Sequence, residues 1–181
     1  MITVLWEDQL GGQVKSFGPH ELLLACVADD LGRSRFALKY EVVSVPKKGN
    51  SNVRRTLQLE LDKLRGSGQV CAVLDLDQVL NLWHSNRRPN NCFSGIREAL
   101  SEDAPGDYEV VFLVENIESV IAACCNALSE PVPSKKPSLN ERDRILSRVA
   151  AGSVGMRHVV RNSVPSFDRV VRFASANLVR R

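Results

Sequence analysis

Five consecutive apolar residues, Val70-Cys71-Ala72-Val73-Leu74, are followed at once by Asp75 and, two positions on, by Asp77. An uninterrupted apolar run of this length predicts a strand in a core rather than on a surface. The acids then fall where the strand ends, at an edge of the sheet, where water can solvate them and a ligand can reach them.

The flanking segments supply the rest of an α/β pattern. Ile2 to Trp6 is a short β-rich run ending at Glu7-Asp8. Gly18-Pro19 opens a helix in which Leu22, Leu23, Cys26, Val27 and Leu31 recur at helical spacing, and Gly32 stops it. Phe36 to Val45 alternates, with Phe36, Leu38, Tyr40 and Val42 on one side, and predicts a second strand ending at Pro46. Asn50 or Ser51 caps a second helix, with Val53, Leu57, Leu61 and Leu64 on one stripe, closed by Gly66-Ser67-Gly68. The apolar run forms a third strand, Val70 to Leu76. After a loose Asn- and Arg-rich stretch and a short helix near Ser94 to Leu100, Tyr108 to Val114 forms a fourth, followed by a helix from Ile117 to Leu128.

Repeated alternation of strand and helix predicts a mostly parallel four-stranded sheet with helices on both faces. This α/β domain spans residues 1–130. Pro131, Pro133 and Pro137 mark a linker over 131–137. Ser138-Leu139-Asn140-Glu141 is a capping box for a helix to Ala150, and Ser166 caps another to Val179, which makes 138–181 a small basic helical extension.

An apolar fraction of 44% and a charged fraction of 25% suit a soluble globular protein. Glu7 and Asp8 interrupt the first apolar run, so no signal peptide is expected. No stretch reaches membrane-spanning length, and the cytoplasm is the expected location. The five cysteines form no Cys-x-x-Cys and are expected to be reduced, mostly core, thiols. His20, His84 and His158 make no zinc pattern, and Ser, Cys and His form no nucleophilic set. Residues 134–181 hold eleven Lys and Arg against three acids, a net of +8, whereas residues 1–133 hold thirteen against eighteen, a net of −5. A basic tail beside an acidic body suits a phosphate backbone, and equally suits a solvated helical face.

Right-handed crossovers place the carboxy ends of parallel strands on one edge, where such folds bind ligands. That step gathers Glu7, Lys47 and Lys48, Asp75 and Asp77, and Glu115 with Glu118. Asp75 and Asp77 project from one face of their strand, and Glu7 adds a third hard oxygen donor. The set suits Mg²⁺ or Mn²⁺ and a phosphate substrate. The Pro46-Lys47-Lys48-Gly49-Asn50-Ser51-Asn52 loop is anion-attracting, although it lacks Walker spacing.

A strand ending in Glu7, two strand–helix steps, Asp75-x-Asp77 after a later strand and a final strand–helix unit resemble a TOPRIM domain over residues 1–128. That module is found in topoisomerases, bacterial primases and nucleases of the overcoming-lysogeny-defect type. The resemblance implies divalent metal held by Glu7, Asp75 and Asp77, a catalytic role for these residues, and phosphodiester cleavage or transfer on nucleic acid. Genome maintenance or anti-phage defence is the setting it implies. Lys47, Lys48, Arg144, Arg148, Arg157 and Arg161 are the candidates for phosphate contact.

Two other readings fit parts of the chain. Val73-Leu74-Asp75-Leu76-Asp77-Gln78-Val79-Leu80 is similar to the first motif of haloacid-dehalogenase-type phosphatases, with Asp75 as nucleophile and Asp77 as acid/base. The third reading is a non-catalytic TOPRIM-like interaction module that binds a partner through its basic carboxy-terminal helices, whose stripe would face nucleic acid, an acidic protein or water; a protein partner or a homo-oligomer is open. Arg144 with Arg148, Arg157 with Arg161, and Arg169 with Arg172 would form stripes at helical spacing.

Overall fold

The computed structural model describes residues 1–8, 17–47, 53, 69–75, 108–113 and 116–179. Four strands, β1 (Ile2–Trp6), β2 (Val42–Pro46), β3 (Gln69–Asp75) and β4 (Glu109–Leu113), form an all-parallel sheet in the order β2-β1-β3-β4. The helices are α1 (Gly18–Leu31), α2 (Arg35–Leu38), α3 (Asn116–Ala127), α4 (Leu139–Ala151), α5 (Val154–Ser163) and α6 (Pro165–Val179). The chain is therefore an α/β fold with a helical carboxy-terminal part.

The apolar run Val70–Leu74 is interior to the sheet, with β1 on one side and β4 on the other. Val70 to Leu74 are all at most 1% exposed, so both faces of β3 are covered. Parallel strands buried on both faces lose the alternating pattern for this reason. Among the described strands β2 lies at an edge of the sheet, where Pro46 and its missing N–H are tolerated.

α1 is buried along nearly its whole length, from Gly18 to Ala28. Its apolar residues share one core with Ile2, Val4 and Trp6 of β1, with Val111 and Leu113 of β4, and with Ile121 and Cys124 of α3. Ile145, Leu146 and Val149 of α4, Val160 of α5, and Phe167, Val170, Val171 and Ala174 of α6 join the same core. The helices on both sides of the 131–137 segment thus bury their apolar faces against one another. Gly18 permits a close approach of α1 to the α4 backbone: a Cβ there would lie 2.6 Å from the Asp143 Cα.

Several boundaries differ from expectation. Residues 35–38 are helical rather than extended, so β2 begins at Val42. Ser34 decides this locally, because its side chain accepts the Phe36 N–H as an N-cap. Leu38 and Val42 are still buried, but Phe36 and Tyr40 point outward, 76% and 74% exposed. α5 was not expected. Ser153 caps it by accepting from the Met156 amide, without the Glu or Gln of a full capping box. The Ser138 cap of α4 is as expected, accepting from the Glu141 amide. α6 begins one residue before Ser166, at Pro165, whose fixed φ suits a first helical position. The expected helix after Asn50 lies outside the described residues except for Val53, which is helical and fully buried. The short helix near Ser94 also lies outside them.

Candidate functional site

The strand order puts a topological switch point between β1 and β3, because the chain leaves β1 for β2 on one side and later returns to β3 on the other. Ligands of open α/β sheets bind outside the carboxy ends of strands at such a point. The Glu7 amide extends the ladder by donating to the Val73 carbonyl at 3.0 Å. The Glu7 carboxylate then turns across to β3, where Oε2 accepts the Asp75 amide at 2.9 Å. On the other flank the Lys47 amide donates to the Trp6 carbonyl at 2.8 Å. Lys47, Glu7 and Asp75 therefore stand on three neighbouring strand ends, as the sequence argument placed them.

Two cations that the sequence argument left out complete this edge. Lys136, from the Pro-rich segment, pairs with Glu118 of α3. The Glu118 carboxylate holds the lysine above its ordinary pKa, and the charges of Asp75 and Asp8 add to the effect. Glu118 therefore lies on the same side of the molecule as Asp75. Arg142 of α4 is 2% exposed and pairs with both Asp8 and Asp143. Its guanidinium lies 5.6 Å from the Phe17 ring centroid, and Phe17 meets Trp6 edge-on at 6.1 Å. Asp143 Oδ1 also accepts the Gly18 amide at 3.1 Å, which caps α1 in place of Phe17. Asp8 thus anchors α4 to the end of β1. No local pattern marks such a role, because Asp8 and Arg142 are 134 residues apart.

The tail arginines proposed for phosphate contact are mostly committed within the molecule. Arg157 donates to both Asp29 oxygens, at 2.6 and 2.8 Å, and to the Ala150 and Gly152 carbonyls at 3.1 and 2.6 Å. Arg161 bridges Asp30 and Asp168. Arg148 makes a two-point pair with Glu130, at 2.7 and 2.9 Å. Arg144 is exposed. Lys48, Asp77 and Glu115 lie outside the described residues.

His20 and Ser44, in no predicted set, do meet. The Ser44 hydroxyl accepts from Trp6 Nε1 at 3.0 Å and lies 2.9 Å from His20 Nδ1. Indole nitrogen can only donate, so the hydroxyl keeps its own proton for a neutral His20. The contact satisfies the polar end of the buried Trp6 and ties α1 to β2.

Glu7 and Asp75 have the donor chemistry Mg²⁺ takes, which is commonly one or two carboxylates completed by water and substrate phosphate. Among the described residues, no group of three or more His, Cys, Asp or Glu is placed to hold a metal ion. Among them too, no helix is long and apolar enough to cross a membrane. No protein-family model, curated protein or solved structure matches the chain.

Proposed function

We propose that the chain is a TOPRIM-like protein of the cytoplasm that cleaves or transfers phosphodiesters of nucleic acid at the β1–β3 switch point. The observation that carries this reading is the bond from the Asp75 amide to the Glu7 carboxylate. It ties an acid from one strand to the main chain of another at the position where open α/β sheets bind ligands. Glu7 and Asp75, joined by Asp77, would hold Mg²⁺ or Mn²⁺, which supplies charge stabilisation to a phosphoryl oxygen and a site for a water nucleophile. The Asp75 amide orients the Glu7 carboxylate before substrate arrives. Lys47 and Lys48 would draw a phosphate toward the acids, and the exposed Arg144 of the tail would add a further cation. Genome maintenance or anti-phage defence would be the setting.

The test is cleavage of DNA and RNA with and without Mg²⁺ or Mn²⁺, comparing the wild type with Asp75→Ala/Asp77→Ala. Metal-dependent cleavage lost in the variant is the expected result, and equal cleavage by both proteins overturns the assignment. Hydrolysis of a small phosphomonoester, abolished by Asp75→Asn, would instead identify the phosphatase chemistry.

A second reading, a non-catalytic interaction module, is favoured by the Asp8–Arg142 and Glu118–Lys136 pairs. They give the acidic edge internal counter-ions. Calorimetric titration with Mg²⁺ and Mn²⁺ separates the two, since the module predicts no heat of metal binding.

A further inference from the structure

The most exposed large apolar side chains among the described residues are Phe36 and Tyr40, at 76% and 74%. They stand four residues apart, Phe36 on the helical turn Arg35–Leu38 and Tyr40 in the turn directly after its αR C-cap, Lys39. Positions i and i+4 of a helical turn lie on one face, with Cβ atoms about 5–6 Å apart. The turn buries Leu38 completely, which leaves the two rings on the side away from the core.

The surroundings of the rings are basic. Residues 33–40 contain Arg33, Arg35 and Lys39 and no acid. Glu41 neutralises one of the three by pairing with Arg33. Arg35 spends one N–H on the Ala150 carbonyl at 3.2 Å, which holds its guanidinium beside the turn without cancelling its charge. Lys39 is exposed between the rings in sequence. Two exposed rings on one face with a surplus of positive charge match the two needs of unpaired nucleic acid, a π surface for each base and cations for the backbone. Duplex bases are already stacked on each other and cannot use such rings. An apolar protein surface would use the rings but would gain nothing from the cations.

We propose that the Phe36–Tyr40 face is a binding platform for single-stranded nucleic acid. It lies before the amino end of β2, at the opposite edge of the sheet from Glu7 and Asp75. Binding there does not rest on the phosphodiester chemistry proposed above.

Fluorescence anisotropy with labelled oligo(dT) and oligo(rU) of about 15 nucleotides, in EDTA, tests the platform on the full chain. Wild type should bind both single strands more tightly than a duplex of the same length. Phe36→Ala/Tyr40→Ala should weaken binding by about tenfold or more for each ring lost. Phe36→Trp/Tyr40→Trp should restore it. Lys39→Gln should lower the salt slope of log affinity by about 0.7, the single-strand value for one phosphate contact. Binding in EDTA needs none of the metal that the catalytic reading requires, so failure of the catalytic reading leaves this one standing. Because both rings are on the surface, thermal unfolding of the Ala variant should match wild type. Unchanged affinity in the double Ala variant overturns the proposal. So does a wild-type dimer that this variant dissolves without any oligonucleotide binding, since the rings would then be a self-association face.

Discussion

Burial pushes the His20 pKa below the usual histidine value, with Glu21 opposing the shift and Lys39 adding to it. A folded-state pKa below the unfolded one means the neutral ring stabilises the fold. That contribution is complete above the unfolded value of about 6.5 and is lost as pH falls from there through the folded value. We therefore expect thermal stability to drop between pH 7.5 and 5 by more in the wild type than in His20→Asn, which removes the titration but keeps an acceptor for Ser44. Equal pH profiles would show that His20 does not titrate on folding. The four described cysteines are chemically quiet for the same reason: Cys26, Cys71, Cys124 and Cys125 are buried free thiols, and burial pushes Cys26 up to about 12. Their placement among apolar neighbours already implied this. The His20–Ser44–Trp6 contact was not legible, because α1, β1 and β2 meet only once the sheet has formed.

Elements whose ends carry strong local chemistry were legible to within a residue or two. Gly32 ends α1 at φ 60°, in the left-handed region that glycine enters without cost, and the Ser138 box starts α4. Ser129 performs the glycine role after α3 at φ 57°, and the Glu130 amide closes the turn on the Cys125 carbonyl at 2.9 Å. A side chain in that conformation is strained by about 1 kcal/mol. Ser129→Gly should therefore raise stability by about 0.5–1 kcal/mol in denaturant titration, and a loss of stability would show that the turn depends on the serine side chain. β2 shows where pattern failed. Phe36, Leu38, Tyr40 and Val42 alternate as a strand would, yet Leu38 and Val42 also fit one helical face at spacing four. The Ser34 cap favours the helical choice, and Phe36 and Tyr40 are left outside.

Across the whole molecule, the uneven charge of the sequence turns out to join its two parts. Asp8–Arg142, Glu118–Lys136, Asp29–Arg157, Asp30–Arg161, Glu130–Arg148 and Glu109–Arg169 each pair an acid before residue 134 with a cation after it. Exposed pairs such as Glu130–Arg148 contribute little to stability. Arg157 differs, since it is 7% exposed and also serves two carbonyls at the end of α4. Arg157→Ala removes the donor from Asp29 and from the Gly152 carbonyl and leaves the Ala150 carbonyl with Arg35 alone, and should cost about 3 kcal/mol in urea unfolding. The difference should persist in 1 M salt, where surface pairs are screened with a Debye length of about 3 Å; a change below about 0.5 kcal/mol would mean that water replaces the arginine without penalty. The sequence by itself determined the parallel α/β class, most helix limits and the delivery of Glu7, Lys47 and Asp75 to strand ends. Those follow from periodicity and capping, which act over a few residues. Only the tertiary structure decided that Glu7 reaches the Asp75 amide, that Asp8 belongs to Arg142, and that most of the basic tail faces its own acidic body. Those partners are 18 to 134 residues apart, and they are chosen by which surfaces the common core brings together.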